Sequence, residues 1–271
     1  MRFTGVEGGV RQGSVEIESS REVVVSVLRA LRLLDCFDRG RPEMTLPEFV
    51  RRGGYSKTTT YRLLIMMERA GWLDRTPRGA FRLTIKPFRL GAIVIESLDL
   101  RREAAPVMAK LAAACEETAY LVVPAGTHAV CLERVDAARG VALADLNVGG
   151  SQPLHLGAGP RALLAYNEQV LLPALVSEGL TARTEHSITT LADLATDLAE
   201  TRRRGYSISD EDATINVAAI GAPIFDGDGH AVAALSIGGL RPRILPPRQP
   251  HLDCLAQACR EISTRLGYQP S

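Results

Sequence analysis

A short run of hydroxyl, basic and aromatic side chains lies in the first third of the chain, directly after the glycine pair Gly53-Gly54. Ser56 is a good helix N-cap, so the side chains after it would project from the first turns of a helix. Lysine, hydroxyl groups and a helix N-terminus suit phosphate oxygens, and an arginine can make a bidentate contact to guanine. The run therefore predicts a DNA-contacting helix that uses Ser56, Lys57, Thr58, Thr59, Tyr61 and Arg62.

The segments before this run predict two shorter helices. Apolar residues recur at three- and four-residue steps from Val24 to Leu34, which indicates an amphipathic helix ending near Phe37. Thr45-Leu46-Pro47-Glu48 has the pattern of a capping box, so a second helix should run from there to Arg52. We count Thr45, at the start of this helix, among the predicted DNA contacts.

The segments after the run predict the rest of a winged helix-turn-helix. The third helix should extend from Lys57 to Ala70, with Leu63, Leu64, Met67 and Ala70 on its packing face, and should end at Gly71. Two short strand-like runs, Trp72 to Arg75 and Phe81 to Leu83, flank the turn residues Thr76 to Gly79 and predict a hairpin. Arg78 lies in that turn and is the predicted contact of the wing.

Charge is divided unevenly along the chain, although the net charge is only +1. Residues 1 to 90 carry 17 Lys and Arg against 10 Asp and Glu, whereas the remainder carries 15 against 21. A basic small domain beside an acidic large one suits DNA binding on one side and a different function on the other. The alternative for the hydroxyl-rich run is a solvated surface helix, and the basic excess, capping box and hairpin together argue against it.

The second half of the chain predicts an α+β domain built on an antiparallel sheet. The segment Leu90 to Leu98 is helical in pattern and would connect the domains, and a longer helix should follow from Arg101 to Glu117. Strand-like and helical runs then alternate. The expected strands are Tyr120 to Val123, Ala129 to Val135, Val141 to Leu146, Val217 to Phe225 and Ala231 to Ile237, and the expected helices are Arg161 to Tyr166, Leu191 to Arg204 and Leu252 to Leu266.

Several classes of function are not favoured by the sequence. It has no apolar run of about eighteen residues and no apolar leader segment, so we expect a cytoplasmic protein without a membrane partner. The five cysteines form no CxxC pair, so we expect neither a metal site nor a cofactor. His128 lies near Cys131, which leaves a Cys/His-dependent enzyme as an alternative, but these two positions of a strand face opposite sides.

The combination of motifs resembles the IclR-type bacterial transcriptional regulators. The likeness extends over about residues 24 to 268 and includes the segment from Leu28 to Leu100 and, in the second half, PLHLGAGPRALLA, RRRGYSISDED and AAIGAPIFDGDGHAVAALSIGG. The resemblance implies an N-terminal winged helix-turn-helix domain, a linker helix and a C-terminal GAF-like effector-binding domain. We expect a flexible tail at 1–20, the DNA-binding domain at 21–86, the linker at 87–100 and the effector-binding and oligomerisation domain at 101–271.

The resemblance also implies partners and a ligand site. The partners would be a palindromic operator in double-stranded DNA, a small organic effector, and further copies of the chain in a homodimer or homotetramer, with repression and activation both open. Carried over by position, the effector-binding residues would be Val141, Ala144, His155, Gly157, Ala158, Gly159, Ser209, Asp210, Val217, Ala219, Ser236 and Gly238. Backbone amides in the glycine-rich turn would favour a carboxylate.

The sequence departs from the family pattern at the expected ligand site. Pro160-Arg161-Ala162 stands where the family usually has Gly-Lys-Ala, Ala219 replaces a frequent cysteine, and Gly238 replaces a frequent serine. These changes, with the small Ala144, remove volume or polar groups, so we expect an effector that is larger or more apolar than a two- or three-carbon acid, such as an aromatic one. A constitutive DNA-binding regulator with a vestigial sensor domain remains the alternative.

Overall fold

A computed structural model describes residues 25–38, 40–97, 99–137 and 146–269. The described residues fall into two compact units, one that ends at Ser97 and one that follows it. The first unit contains helices α1 (Val25–Leu34), α2 (Leu46–Gly53), α3 (Lys57–Arg69) and α4 (Lys86–Ser97) and strands β1 (Glu43–Met44), β2 (Leu73–Arg75) and β3 (Phe81–Leu83). Helix α4 covers most of the predicted linker and belongs, by its contacts, to this unit.

The first unit is a three-helix core with a small antiparallel sheet in the order β1-β3-β2. Leu33, Phe49, Leu64 and Phe81 are fully or almost fully buried and join the three helices to the hairpin. The expected capping interaction is present at α2, where the Thr45 backbone amide and hydroxyl both donate to the Glu48 carboxylate at 2.7 Å. These two hydrogen bonds lower the pKa of Glu48, so its charge is held at the N-terminus of α2.

The second unit is built on one six-stranded antiparallel sheet in the order β6-β5-β4-β9-β8-β7. Its strands are β4 (Thr118–Ala125), β5 (His128–Val135), β6 (Ser151–Pro153), β7 (Ser207–Asp210), β8 (Val217–Phe225) and β9 (Ala231–Leu240). Its helices are α5 (Asp99–Cys115), α6 (Ala158–Tyr166), α7 (Glu168–Glu178), α8 (Leu191–Arg204), α9 (Arg241–Ile244) and α10 (Gln249–Arg265).

Helices cover both faces of this sheet, and the side chains of each strand alternate between the two faces. Leu121 and Leu235 point to the face that carries α5 and α10. Tyr120, Val122 and Ala234 point to the opposite face, which carries α6 and α8. The central strands therefore separate two apolar cores, and the expected α+β architecture is confirmed.

Four elements of the second unit and one of the first were absent from the sequence expectation. They are β1, β6, α7, β7 and α9, and each is short, polar or without a clear apolar stripe. The third helix of the first unit also ends one residue earlier than expected, so Ala70 is its exposed C-cap rather than a packing residue. The expected strand from Val141 lies, except for Leu146, outside the described residues.

Among the described residues, no helix has both the length and the apolar character needed to cross a membrane.

Candidate nucleic-acid interface and effector cavity

The predicted DNA-contacting run forms the first two turns of α3. Ser56 is its N-cap, and its hydroxyl oxygen accepts a hydrogen bond from the Thr59 amide at 3.3 Å. Lys57, Thr58, Tyr61 and Arg62 are exposed along one side of the helix, Tyr61 at 45%. The structure therefore places these side chains on one continuous outward face. The hydroxyl of Thr60, which was not a predicted contact, is turned inward and fully buried.

The cations on this face have no anionic partner within the described part of the chain. Neither Lys57 nor Arg62 forms an ion pair there, and neither does Arg78. By contrast, Arg82 of the hairpin is paired with Asp74 at 2.8 Å, and Arg75 with Glu68 at 3.5 Å. Unpaired exposed cations retain their attraction for phosphate, so the charge distribution favours an anionic surface as partner.

The hairpin presents Arg78 at its tip, as the sequence predicted. The Thr76 amide donates to the Ala80 carbonyl at 2.8 Å and the Gly79 amide to the Thr76 carbonyl at 2.9 Å, which closes the turn. Gly79 has a φ of +79°, a conformation that glycine adopts without steric cost. Arg78 is exposed between these anchored residues. Thr45 is exposed too, at the N-terminus of α2, where its polar groups are engaged by Glu48.

The second unit contains a small cavity of about 30 Å³ between the sheet and the N-terminus of α6. Seven of the residues predicted to bind an effector line it. They are Gly157, Ala158, Gly159, Ser209, Val217, Ala219 and Ser236. Six further described residues, which the sequence reasoning missed, complete the lining: Tyr120, Leu146, Gln152, Pro160, Ala213 and Thr214.

Three predicted effector residues do not line the cavity. His155 is fully buried, with Nε2 3.0 Å from the Thr181 carbonyl oxygen, and burial lowers the pKa of its imidazole. Asp210 points to the surface and forms a bidentate pair with Arg241, at 2.6 and 2.9 Å. Gly238 lies on the sheet beside Ala219 and Tyr120 without bordering the cavity. Val141 and Ala144 lie outside the described residues.

The N-terminus of α6 is packed directly on the sheet. A Cβ added to Gly221 of β8 would lie 2.7 Å from the carbonyl carbon of Ala158, so only glycine permits this approach. The Ser207 hydroxyl of β7 donates to the Ala158 carbonyl oxygen and adds a second anchor. These two contacts hold the first turn of α6 against strands β7 and β8.

A buried charged network lies behind the glycine-rich turn. Asp212 accepts hydrogen bonds from the Gly157 amide at 2.9 Å, from the Ser209 hydroxyl and from the Arg161 guanidinium. Arg161 also donates to the Ile208 carbonyl oxygen and pairs with Asp197 at 3.0 Å. Arg161 and Asp212 are each only 2% exposed. The network fixes the turn and already satisfies the Gly157 amide.

Two amides of α6 remain available at the cavity. No described residue accepts a hydrogen bond from the Ala158 or Gly159 amide, and the next position, Pro160, has no amide hydrogen. The Ser236 hydroxyl lies next to Gly159, and both residues line the cavity. The described lining therefore offers neutral hydrogen-bond donors at a helix N-terminus, which is suited to a carboxylate.

The histidine and cysteine that suggested an enzyme have separate partners. His128 Nδ1 lies 3.1 Å from the Thr127 hydroxyl, whereas the Cys131 thiol lies 3.4 Å from the Glu133 carbonyl oxygen inside the α6-side core. Strand β5 thus holds the two groups in different surroundings, and nucleophilic catalysis needs them in contact.

An exposed basic recognition helix with a wing, followed by an α+β domain with a cavity, defines a DNA-binding transcriptional regulator. The family model "IclR helix-turn-helix domain" matches residues 26–77, and "Bacterial transcriptional regulator IclR C-terminal" matches residues 92–264. The chain belongs to the IclR family of transcriptional regulators.

Individual relatives agree with this assignment over nearly their whole length. The HTH-type transcriptional regulator KipR of Bacillus subtilis is 30% identical over 90% of this chain and 97% of its own. The crystal structure of an IclR transcriptional regulator from Silicibacter sp. covers 91% of this chain and 98% of its own, with 27% identity and a TM-score of 0.80. An IclR homolog from Microbacterium hydrocarbonoxydans, crystallised with 4-hydroxybenzoate, has 25% identity and a TM-score of 0.72, covering 89% of this chain and 98% of its own.

Proposed function

We propose that this regulator binds a palindromic operator as a homodimer or homotetramer, with α3 of each copy in the major groove, and that a small organic acid controls this binding. The observation that carries the DNA-binding part is the outward face of α3, where two cations without an anionic partner among the described residues lie beside the hydroxyl groups of Thr58 and Tyr61. Arg62 reads a base, Lys57 contacts phosphate, and Arg78 of the wing contacts backbone or minor groove. Ser56, Thr58, Thr59, Tyr61 and Thr45 position the helix on the duplex.

The effector binds in the cavity beneath α6, with its carboxylate at the Ala158 and Gly159 amides and the Ser236 hydroxyl. The apolar lining by Leu146, Val217 and Ala219 favours an acid with an apolar body. The Microbacterium homolog crystallised with 4-hydroxybenzoate supports an aromatic acid as the class. Binding changes operator affinity by a coupling free energy of about 1–3 kcal/mol.

The DNA-binding part is tested by titrating purified protein against operator fragments that it selects from genomic DNA. Arg62→Ala should make the free energy of operator binding less favourable by about 1–3 kcal/mol and relax the preference at one base position. Lys57→Ala should weaken binding to all sequences and reduce the slope of log affinity against log salt concentration by about one. Arg82→Ala is the matched control, because Arg82 is already paired with Asp74. Unchanged operator binding in both Arg62 and Lys57 variants would show that another element enters the groove.

The volume of the cavity supports a second candidate function, a constitutive DNA-binding regulator with a vestigial sensor domain. A space of about 30 Å³ is far below the roughly 300–1,000 Å³ that is typical of small-molecule sites. An aromatic acid therefore binds only if the walls move apart.

A thermal-shift screen of aromatic and short-chain acids separates the two functions. A ligand at about 100 times its dissociation constant stabilises the folded protein by about 2.7 kcal/mol. A raised melting temperature together with changed operator affinity supports the sensor. Operator binding that no acid alters supports the constitutive regulator.

A further inference from the structure

Gln152 is a buried polar residue in the cavity, and its side-chain nitrogen has no hydrogen-bond partner among the described residues. Gln152 is the central residue of the short edge strand β6, its surface is 5% exposed, and its side chain lines the cavity. The side-chain nitrogen itself is fully buried. A buried amide donor without an acceptor destabilises the folded state, and an acceptor oxygen on a ligand in the cavity would remove that cost.

The position of this nitrogen places it beside the predicted carboxylate site. It lies 2.7 Å from where a Cβ would stand on Gly157, whose φ is +80°. Gly157 is the N-cap of α6, directly before the Ala158 and Gly159 amides. Any other residue at 157 would displace the Gln152 amide, so the glycine leaves this donor in its place next to the helix N-terminus.

The donors at this end of the cavity come from different elements, α6 and β9 beside the carboxylate site and β6 for Gln152. The two α6 amides and the Ser236 hydroxyl can already serve both carboxylate oxygens. Gln152 adds a further N–H on the β6 side, and it is neutral, so it adds no charge that would demand a second anion. A hydroxyl or carbonyl oxygen on the ligand is the acceptor that fits such a donor.

We propose that Gln152 donates a hydrogen bond to an oxygen atom of the effector other than its carboxylate, and so selects a hydroxy- or oxo-substituted acid over the unsubstituted one. This proposal rests on the proposed effector function. The selectivity arises because an acid that lacks the oxygen leaves the buried amide unpaired.

The first test compares benzoate with 2-, 3- and 4-hydroxybenzoate by titration calorimetry of the full chain. Wild type should bind at least one hydroxybenzoate about 10-fold more tightly than benzoate. Gln152→Met keeps the length and shape of the side chain but removes the donor, so the preference should fall to about twofold or less. Gln169→Met, the same change at an exposed position of α7, should leave it unchanged. A preference that persists in Gln152→Met, or no preference in wild type, would overturn the proposal.

The second test does not depend on the probe acids. If Gln152 serves a ligand, ligand-free Gln152→Met should melt at the same temperature as wild type or higher, because an unpaired buried donor has been removed. A lower melting temperature in Gln152→Met, with Gln169→Met unchanged, would show that the amide is structural and would overturn the proposal. Failure of every acid to bind would refute the proposed effector class, and this melting comparison would still decide the role of Gln152.

Discussion

In the first unit, Lys57 and Arg62 project from α3 into solvent without an anionic partner in the described chain, whereas in the second unit Arg161 is buried between two aspartates. Exposed cations remain hydrated in the folded protein, so they do not destabilise it and can bind a polyanion. Salt screens their attraction for that polyanion. A buried cation must be paired to be tolerated at all. The same residue type therefore serves intermolecular attraction in one unit and internal positioning in the other.

The largest expected effect is on the buried network, through Asp212→Ala. This change leaves Arg161 nearly buried with only the partly exposed Asp197 as counter-ion, and should lower the free energy of unfolding of the second unit by about 3–5 kcal/mol. Glu200→Ala breaks the exposed pair with Arg203, which solvent screens, and should change the free energy of unfolding far less. Denaturant unfolding followed by circular dichroism measures both. Equal costs would remove the contrast between buried and exposed charge.

The next effect concerns how tightly α6 is held on the sheet. Gly221→Ala should cost about 1–3 kcal/mol, because the new methyl group would meet backbone atoms of Ala158 rather than a flexible side chain. The same displacement should weaken acid binding by moving the Ala158 and Gly159 amides. Gly126→Ala is the control in the same unit. An added methyl group there would meet no other atom, and only the φ of +61° disfavours alanine. Acid affinity that falls equally in both variants would argue against a packing-specific role for Gly221.

A smaller effect is expected from pH. Burial lowers the pKa of His155 in the folded protein, so between its folded value and the unfolded value of about 6.5 the unfolded chain binds more protons. The free energy of unfolding should therefore fall as pH decreases from 7.5 to 5.5, and His155→Gln should make that fall smaller. The pKa of His251 is lowered in the same direction and accounts for a remaining slope. An identical slope in wild type and His155→Gln would contradict the prediction, and the exposed His186→Gln is the control.

The smallest effect sharpens the description of the wing. Arg78→Ala should reduce the slope of operator affinity against salt by about one without changing base preference, because a backbone contact carries little sequence information. Arg82→Ala, in the same hairpin but paired with Asp74, provides the comparison. A change in base preference with Arg78→Ala would assign the wing a reading role.

Local patterns in the sequence predicted local structure well. The bounds of α8 (Leu191–Arg204) and β8 (Val217–Phe225) agree with expectation, because a Thr190 N-cap, a Gly205 C-cap and a continuous apolar run leave few alternatives. Strand β7 was missed because its sequence, SISD, is polar. Ser207 is buried there because its hydroxyl donates to carbonyl groups of Ala158 and Gly221, which lie far away in the sequence.

The cavity residues were predictable only where they lie within a recognisable motif. Alternation along β7 turns Ser209 inward and Asp210 outward, so the predicted Ser-Asp pair is divided and Asp212 is the buried carboxylate. Gln152 and Tyr120 carry no local signal, since their place at the cavity depends on strand pairing and on the approach of α6. A sequence pattern cannot show which polar side chain is left without a partner.

The engagement of the Gly157 amide by Asp212 sets a limit on the net charge of any ligand. With that amide taken and Pro160 lacking a hydrogen, α6 has two donors left for a guest, and no cationic side chain lines the described part of the cavity. Two neutral amides at a helix end can compensate one negative charge but not two. If an acid binds at these amides as proposed, monoanions should therefore bind more tightly than dicarboxylates or phosphate esters, because the aspartate that holds the turn in shape has taken one of the donors.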